Sequence, residues 1–402
     1  MDAITESFGR ALSRRAGQST RPTSTEPRAA SVGFVGTYPP TQCGIATFNS
    51  SLRAAMEPSR SGVVALVDDE GATDFGPEVI AEIAPGSPEA LERAARLLDR
   101  FDVVVIQHEF AIYGGNDGSE ALDLVERLRA PTIVVLHTVL RSPSPAQRTI
   151  IERLAETAEA LVVQSGAARS ALLDHYRVGS AVVHVIPHGA PFNFDDSPPQ
   201  SRSRRPVVLT WGLLGRGKGI EYAIEALAAL RGLDPPPRYV VHGHTHPRVA
   251  EQEGEAYRDS LIAFAKTLGV ADLVEFDDRY LDTASLLALI REAGVVLLPY
   301  LSDEQVVSGV LVEAIASGKP IVATRFPHAV EFLREGSGIL VPHRDAGAIA
   351  EALRRLLTEP EVAARASTVA RRQAEPLFWE NVGRAYRELA ASVVAKHVKA
   401  DV

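Results

Sequence analysis

The chain has 402 residues, a formal net charge of −9 and one cysteine. This length exceeds the size at which a single hydrophobic core keeps growing, so we predict two domains. The negative charge argues against a general nucleic-acid binder, and a single cysteine excludes an intramolecular disulfide.

The first segment of the chain, residues 1–30, is rich in Arg, Ser, Thr and Pro and lacks the apolar stretch of a signal peptide. We predict a disordered tail. An organelle transit peptide is the alternative, and the acidic residues Asp2, Glu6 and Glu26 count against it. No uninterrupted apolar run reaches the about 20 residues of a membrane span. Together with the single cysteine, this favours a cytoplasmic protein.

Short β-branched runs alternate with helical spacing of apolar residues throughout residues 31–190. Continuous apolar runs of this kind are typical of buried parallel strands. The predicted strands are 32–35, 63–67, 103–107, 132–136, 161–163 and 183–186, and the predicted helices include 88–100 and 144–160. The repeated strand-helix unit indicates an N-terminal Rossmann-like domain.

Residues 191–206 interrupt this alternation with Pro, Ser, Asp and Arg, as a linker between domains would. The alternation resumes over 207–378. The predicted strands there are 207–210, 239–241, 273–276, 295–299, 320–324 and 338–340, with a helix over 219–230 and an amphipathic last helix over 378–396. The predicted fold class is therefore α/β, with two doubly wound domains whose ligand edges lie at the carboxyl ends of their strands.

A glycine follows the first predicted strand. Gly44 comes just before a helix that we expect to open at Ala46 and Thr47. A phosphate or sugar on the helix N-terminus is one interpretation, because the unpaired N–H groups and the dipole favour negative charge there. A glycine that only shapes the turn is the other. The dinucleotide-binding GxGxxG pattern is missing.

Polar residues end two neighbouring strands of the first domain. His108 and Glu109 follow the third predicted strand, and His137 and Thr138 follow the fourth. Such side chains are costly in a parallel core unless they are paired, so we expect them at the cleft edge. A satisfied structural histidine is the alternative for each imidazole.

A glycine-rich turn opens the second domain, with Arg216 and Lys218 between Gly212 and Gly219. Its spacing fits GxxxxGK, but a P-loop needs Ser or Thr next to hold magnesium, and Gly219 supplies neither. We favour a diphosphate pocket in which Lys218 acts as a point charge. A solvated basic turn is the alternative.

The segment after the strand at 295–299 predicts a short helix from Gly309 to Ser317. Ser308 is a plausible N-cap and Gly318 a plausible C-terminal stop. The helix start is a second anion site, and Glu313, one turn inside, could accept hydrogen bonds from ribose hydroxyls. The alternative is that Glu313 points to solvent.

Three histidines alternate over residues 242–246. On an extended segment they would share one face, as metal ligands might, but no second ligand set is near in sequence. We expect no metal site and expect His246 to line the cleft. No DxD sequence occurs in the chain.

Taken together, these motifs resemble the retaining glycosyltransferases of family 4, which have the GT-B fold. The resemblance covers nearly everything after the tail, and it rests on the order of the pieces TYPPTQCGIATF, QHEF, VLHTV, VVQSGAARSAL, VIPHGAP, GRGKGIEYAIEAL, VVSGVLVEAIASGKPIVAT and GILVP. It implies two Rossmann-like domains facing an interdomain cleft. It also implies an acceptor-binding first domain, a donor-binding second domain and a final helix, about 379–402, that packs back on the first.

The resemblance also implies roles for single residues. Lys218 matches the lysine on the donor diphosphate, and Glu313 matches the second glutamate of a Glu-x7-Glu motif, which binds the ribose. Gly44 and His137 match cleft residues near the diphosphate and the sugar. The remaining predicted contacts are with the donor at Arg216, Ser308, Gly309 and Val310, and with the acceptor or cleft at His108, Glu109 and His246.

This sequence departs from the family pattern at two positions. The first glutamate of the motif falls at Gln305, so either the adjacent Glu304 takes over or Gln305 hydrogen-bonds the donor sugar as a neutral substitute. Arg216 lies near the family's diphosphate arginine, but Gly212 stands at the matching distance from Lys218.

The resemblance implies transfer of a hexose from a nucleotide-sugar donor to a carbohydrate or glycolipid acceptor, with retention of configuration and without a cofactor or obligatory metal. Two alternatives remain open: a nucleotide-sugar epimerase or hydrolase of the same fold, or a non-catalytic sugar-nucleotide-binding subunit. We expect no nucleic-acid partner. Peripheral membrane contact, the donor base and the oligomeric state are left open.

Overall fold

The structure is a computed structural model that describes residues 29–194 and 205–400. The predicted tail lies outside the described residues except for its last two positions. The central part of the predicted linker, residues 195–204, also lies outside them.

The first sheet has seven parallel strands in the order β3-β2-β1-β4-β5-β6-β7. The strands are β1 Val32–Gly36, β2 Ser61–Leu66, β3 Val79–Ile83, β4 Val103–His108, β5 Thr132–Leu136, β6 Ala160–Val163 and β7 Val183–Val185. The helices are α1 Gly44–Met56, α2 Pro88–Leu98, α3 Glu120–Val125, α4 Pro145–Thr157 and α5 Gly166–His175. Apolar clusters on both faces of the sheet bury the central strands completely, which explains their continuous apolar runs.

The second sheet has six parallel strands in the order β10-β9-β8-β11-β12-β13. The strands are β8 Val207–Trp211, β9 Arg238–His242, β10 Val274–Asp277, β11 Val295–Leu298, β12 Ile321–Thr324 and β13 Gly338–Val341. The helices are α6 Ile220–Leu230, α7 Pro247–Glu253, α8 Ala256–Thr267, α9 Thr283–Glu292, α10 Gly309–Ala316, α11 Pro327–Leu333, α12 Ala346–Thr358, α13 Pro360–Ala374 and α14 Trp379–Ala400. The two sheets confirm the predicted α/β class with two doubly wound units.

The edge strand β3 is the one strand that the sequence patterns did not predict. It carries Glu82 and is largely only half-buried, so it lacks the continuous apolar run that marks the inner strands. Its pairing with β2 is also irregular near Val63 and Val64. An edge strand pairs on one side only and stays partly exposed to solvent. Polar side chains are therefore tolerated on it, and its apolar pattern is weak.

Two segments cross between the domains side by side. The Ala190 N–H donates to the Leu377 carbonyl at 2.8 Å, and the Trp379 N–H donates to the Ala190 carbonyl at 3.1 Å. Helix α14 then continues along α1, where the Arg387 guanidinium donates to the Ala55 carbonyl. The last helix therefore packs on the first domain, although it follows the second in sequence.

The contact of α14 with α1 depends on a glycine inside a helix. A Cβ at Gly383 would overlap the Ala55 carbonyl, whereas a Cβ at Gly347 in α12 would meet only the Asp345 carboxylate, 3.4 Å away. We expect Gly383→Ala to lower the free energy of unfolding by about 1–3 kcal/mol through overpacking. Thermal and urea unfolding of the purified variant will measure this loss.

The matched control is Gly347→Ala. Both glycines are helical, and intrinsic propensity alone favours alanine by about 0.5–1 kcal/mol at either position. The Gly347 variant should therefore be as stable as the wild type or slightly more so. Equal stability of the two variants would contradict close packing of α14 on α1.

Candidate active site

The carboxyl ends of strands from both sheets meet at the cleft. The Ser165 hydroxyl, just after β6, donates to the Val306 carbonyl in the loop that leads from β11 to α10, at 2.7 Å. Both residues are buried, with 3% of each exposed. The predicted ligand edges of the two domains thus lie against each other at this point.

The start of α10 is built as the sequence predicts. Ser308 is the N-cap, and its hydroxyl accepts the Leu311 N–H at 3.2 Å. Gly318, with φ of 64°, ends the helix in the left-handed region. A Cβ at Gly309 would lie 2.9 Å from the His188 Nε2 atom, so glycine lets the imidazole pack against the first turn. Val310, also predicted to contact the donor, is the next helical residue and is partly buried.

A second histidine contacts the same helix start. The Ser308 N–H donates to the His328 Nδ1 atom at 2.9 Å, so this nitrogen carries no proton. The His328 ring is fully buried, and its Nε2 atom has no hydrogen-bond partner among the described residues. Burial, with His188 as a smaller cause, lowers the pKa of His328 to about 3. The imidazole is therefore neutral at physiological pH.

Glu313 lies one turn inside α10 and hydrogen-bonds across to the end of β8. The Trp211 indole N–H donates to its Oε2 atom at 2.9 Å. Burial raises the pKa of Glu313 to about 6, and the Trp211 hydrogen bond opposes part of that rise. The other carboxylate oxygen receives no hydrogen bond from any residue that the structure describes, and it can accept from a ligand.

Lys218 lies in the glycine-rich turn after β8, on a short 3-10 helix, Arg216–Lys218. Its Nζ atom is 4.2 Å from the centroid of the Tyr300 ring, a cation–π distance. The Leu301 N–H donates to the Gly217 carbonyl at 2.9 Å, which joins this turn to the segment that leads to α10. Gly219 has φ of 64° and leaves no room for a Cβ beside the Pro299 carbonyl.

Arg216 makes a two-fold hydrogen bond to Glu253. The guanidinium Nε and Nη2 atoms lie 3.2 and 2.6 Å from the two carboxylate oxygens. This pair is solvent-exposed on the Arg216 side, so it is worth little to stability. In this conformation Arg216 belongs to a surface ion pair, and its contact with the donor stays a prediction.

His137 is fixed by two glutamines in the first domain. Its Nε2 atom lies 2.9 Å from the Gln107 Oε1 atom, and the Gln164 amide lies 3.4 Å from its Nδ1 atom. Because the Gln107 oxygen only accepts, Nε2 carries the proton. Burial, with smaller contributions from His188 and His108, lowers the pKa of His137 to about 3. Both ring nitrogens are hydrogen-bonded within the first domain, so neither is free to act as a nucleophile in this conformation.

The other predicted residues of the first domain differ in their surroundings. The Thr138 hydroxyl donates to the Glu109 carboxylate at the end of the sheet. His108 is fully buried against Phe110 and Tyr113, with its pKa lowered to about 4 by burial. His108 therefore supports the cleft edge from below and does not line it in this conformation.

The start of helix α1 differs from the sequence prediction. Helix α1 begins at Gly44, with Cys43 as its N-cap, and not at Ala46. Gly44 is exposed and a Cβ there would meet nothing within 4 Å, so this helix start is open to solvent. The thiol of Cys43 accepts the Ala46 N–H, a capping role that sequence rules do not assign to cysteine.

The three alternate histidines do not share a face. Gly243 has φ of 129°, which bends the chain after β9. His242 is buried 3.4 Å from the Asp277 carboxylate, His244 lies by the Tyr280 ring, and His246 is exposed at the start of α7. Within residues 29–194 and 205–400, no three metal-ligating side chains are grouped to hold a metal ion.

The Gln305 amide turns back into its own loop. Its Nε2 group donates to the Val307 carbonyl at 3.1 Å, and its backbone carbonyl accepts the His328 N–H at 3.3 Å.

Sequence reasoning did not assign site roles to His188, His328, Trp211 or Tyr300, which stand in or beside the quoted motifs. The sequence signal of His188, Trp211 and Tyr300 is a polar or aromatic side chain at the end of an apolar run, whereas His328 follows Pro327 and has no such signal.

No helix in the described part of the chain combines the length and the apolar character that a bilayer span requires.

Comparison with known proteins gives two family matches that follow each other along the chain. Residues 68–193 match the family model described as Glycosyltransferase Family 4, and residues 192–373 match the model described as Glycosyl transferases group 1. Together they cover the chain from just after β2 to α13, which includes β3 to β7 of the first sheet and all strands of the second. The first match ends where the second begins, at the crossing between the domains.

Curated relatives include the D-inositol 3-phosphate glycosyltransferase of Thermobifida fusca, 27% identical over 275 residues that make up 62% of each chain. Another is the GDP-mannose-dependent alpha-(1-6)-phosphatidylinositol monomannoside mannosyltransferase of Mycolicibacterium smegmatis, 29% identical over 63% of this chain and 67% of that protein. The similarity to the Thermobifida protein thus spans less than two thirds of its length.

Among solved structures, Anabaena HepE in complex with UDP and glucose has a TM-score of 0.72 at 17% identity, over 90% of this chain and 100% of that one. This likeness concerns the fold. On the fold and the two consecutive family matches, the chain belongs to glycosyltransferase family 4 and has the GT-B fold.

Proposed function

We propose that this chain transfers a hexose from a nucleotide-sugar donor to a carbohydrate or glycolipid acceptor, with retention of anomeric configuration. The observation that carries the proposal is that residues suited to binding a nucleotide-sugar donor are grouped at one edge of the second sheet. The capped N-terminus of α10, Lys218 and Glu313 all lie at the carboxyl ends of its strands, next to the contact with the first domain.

In this proposal the donor diphosphate lies on the N-terminus of α10, beside Lys218. The backbone N–H groups of the first turn and the helix dipole favour negative charge there. Lys218 has a cation–π contact with Tyr300, and no carboxylate among the described residues pairs with it. Its charge is therefore available to a phosphate, which attracts an ammonium group more strongly than an aromatic ring does.

Glu313 is the proposed ligand of the donor ribose. The Trp211 N–H occupies one carboxylate oxygen and fixes the plane of the group, so the second oxygen is oriented before the donor arrives. A carboxylate held in this way accepts hydrogen bonds from vicinal hydroxyls without losing much side-chain entropy on binding.

The family resemblance implies the reaction step. The acceptor hydroxyl oxygen forms a bond to the anomeric carbon as the bond from that carbon to the phosphate oxygen breaks. The acceptor proton passes to the departing phosphate oxygen, on the same face of the sugar. Negative charge grows on the nucleoside diphosphate, where Lys218 and the α10 N-terminus stabilise it.

Neutral side chains surround the reacting sugar in this proposal. His137 orients the sugar from the first domain, and its low pKa keeps it uncharged. The proposal has the Gln305 amide release the Val307 carbonyl and hydrogen-bond the sugar instead. The absence of a metal or cofactor requirement follows from the family resemblance and remains a prediction.

Two predictions test the proposed donor site, and the first concerns Lys218. We expect the wild type to gain thermal stability with one class among UDP-, GDP- and ADP-sugars, because a ligand that binds only the folded state stabilises it. Relatives named for GDP-mannose and a similar fold crystallised with UDP leave the base open. Lys218→Ala should weaken donor affinity by about 10- to 100-fold, the value of one charge-assisted hydrogen bond.

The control is Lys266→Ala, which removes the same charge from the exposed last turn of α8. It should bind the donor as the wild type does. No thermal shift with any nucleotide sugar would contradict the donor site. Binding without turnover across many acceptors would favour the non-catalytic alternative, and hydrolysis or epimerisation without an acceptor would favour the other enzyme class.

The second prediction concerns the pH dependence of donor binding. The ionised form of Glu313 is the one that accepts from ribose hydroxyls, and its pKa in the free protein is about 6. Binding stabilises that form, so donor affinity should be highest well above pH 6 and should fall as the pH drops through 6 towards 5. Calorimetric titration with the donor identified by the thermal screen measures this profile.

The matched variant is Glu313→Gln, which keeps the shape and an acceptor oxygen without a titrating group. Its affinity should be lower than that of the wild type at pH 7.5 and nearly constant between pH 7.5 and 5. The diphosphate diester of a nucleotide sugar does not titrate in this range, and His137 and His328 titrate well below it. The same fall in the Glu313→Gln variant would show that another group is responsible.

A further inference from the structure

Helix α5 of the first domain is capped by one residue of its own domain and one residue of the second domain. Its own N-cap, Ser165, accepts the Ala168 N–H at 2.9 Å. The Gly166 and Ala167 N–H groups donate to the two carboxylate oxygens of Glu331, at 2.9 and 2.8 Å. A single carboxylate from α11 thus satisfies the first two unpaired N–H groups of a helix that belongs to the other domain.

The same helix start holds the loop that precedes α10. The Ser165 hydroxyl accepts from its own helix and donates its proton to the Val306 carbonyl at 2.7 Å, between Gln305 and the N-cap Ser308. Both partners are buried, so water does not replace this bond easily. The position of the donor-side loop is thereby fixed relative to the first domain.

Helix α11 connects these two contacts. His328 and Glu331 are three residues apart, so they lie on one face of the helix. His328 binds the loop twice: its N–H donates to the Gln305 carbonyl, and its Nδ1 atom accepts the Ser308 N–H. One face of a short helix therefore binds both the donor-side loop and the N-terminus of α5.

We propose that Ser165 and Glu331 form an interdomain clamp, and that both are positioning residues for sugar transfer. The clamp consists of the Ser165 bond to Val306 and the Glu331 bonds to the Gly166 and Ala167 N–H groups. This inference rests on the proposed function. The Ser165 bond to Val306 forms when the loop at 305–308 is in its observed position, and the same position of the loop fixes the first turn of α10. The clamp therefore closes the cleft only with the loop in that position.

The physical reason is that the contacts share partners. If the loop shifts, Val306 moves away from Ser165; if the domains part, two N–H groups of α5 lose a carboxylate and Glu331 loses both donors. No cation in the described part of the chain is paired with Glu331, so the α5 N-terminus supplies the positive potential that it faces. Domain closure and the geometry of the donor site are therefore coupled in one hydrogen-bonded unit.

The test compares Glu331→Gln with Glu335→Gln. Both changes remove one negative charge near the end of α11, but Glu335 is exposed and its nearest cation, Arg372, is 3.8 Å away. Hydrogen–deuterium exchange of the peptide that contains Gly166 and Ala167 reads the clamp directly. We expect faster exchange there in Glu331→Gln and unchanged exchange in Glu335→Gln.

Kinetics with the donor found in the thermal screen provides the second measurement. The two His328 bonds that hold the donor-side loop do not involve Glu331 and remain in Glu331→Gln, so its KM for the donor should stay within about two-fold of the wild type. Its kcat for transfer should fall at least about ten-fold, since hydrogen bonds to a charged group are lost. Donor hydrolysis should rise relative to transfer, because an open cleft admits water.

Ser165→Ala is a second variant, with its Tm measured because it also removes the cap of α5. If it folds, it should show the same loss in kcat and the same rise in hydrolysis. The clamp is overturned if Glu331→Gln shows the same hydrogen exchange and the same kcat as the wild type. This holds even where the wild type binds the donor and transfers sugar. Absence of donor binding and turnover in the wild type would overturn the proposed function, and the exchange measurement would still decide whether the clamp exists.

Discussion

Backbone N–H groups at the starts of two helices are the constraint on which the cleft depends. Every helix leaves its first N–H groups unpaired, and in this chain α5 and α10 begin where the domains meet. Two side chains of α11 accept hydrogen bonds from these N–H groups: Glu331 accepts from the start of α5, and His328 accepts from Ser308, the N-cap of α10. The same requirement that completes the helices therefore brings the two domains together beside the donor-type residues.

The electrostatics of the cleft follow from burial more than from charge pairing. His137, His188 and His328 all have pKa values lowered to between about 3 and about 4, mainly because burial penalises the charged form. With these imidazoles neutral, the positive side-chain charge of the proposed donor site comes from Lys218. A diphosphate would then meet one ammonium group and one helix dipole, which both act on the leaving group.

Much of the fold could be predicted because inner parallel strands and capped helices have local signals. The continuous run at β4 and the Ser308 cap with Gly318 as stop were identified correctly. The partners of site residues could not be predicted, since the Trp211 bond to Glu313 spans 102 positions in sequence and the Glu331 bond to Gly166 spans 165. Only packing decides such pairs, and the same holds for Arg216, whose partner Glu253 lies on a helix with no special signal.

The change at Gln305 is adapted to its loop. An amide can donate to the Val307 carbonyl, as Gln305 does, whereas an ionised glutamate has no proton to donate and would repel that oxygen. The His328 N–H holds the Gln305 carbonyl in place, and its ring holds the Ser308 N–H, so the loop keeps its shape without a carboxylate at position 305. The partly buried carboxylate of α10 is then Glu313, fixed by Trp211. Discrimination between donor sugars would therefore depend on neutral hydrogen bonds near the reacting carbon, and charge would act on the nucleotide end of the donor.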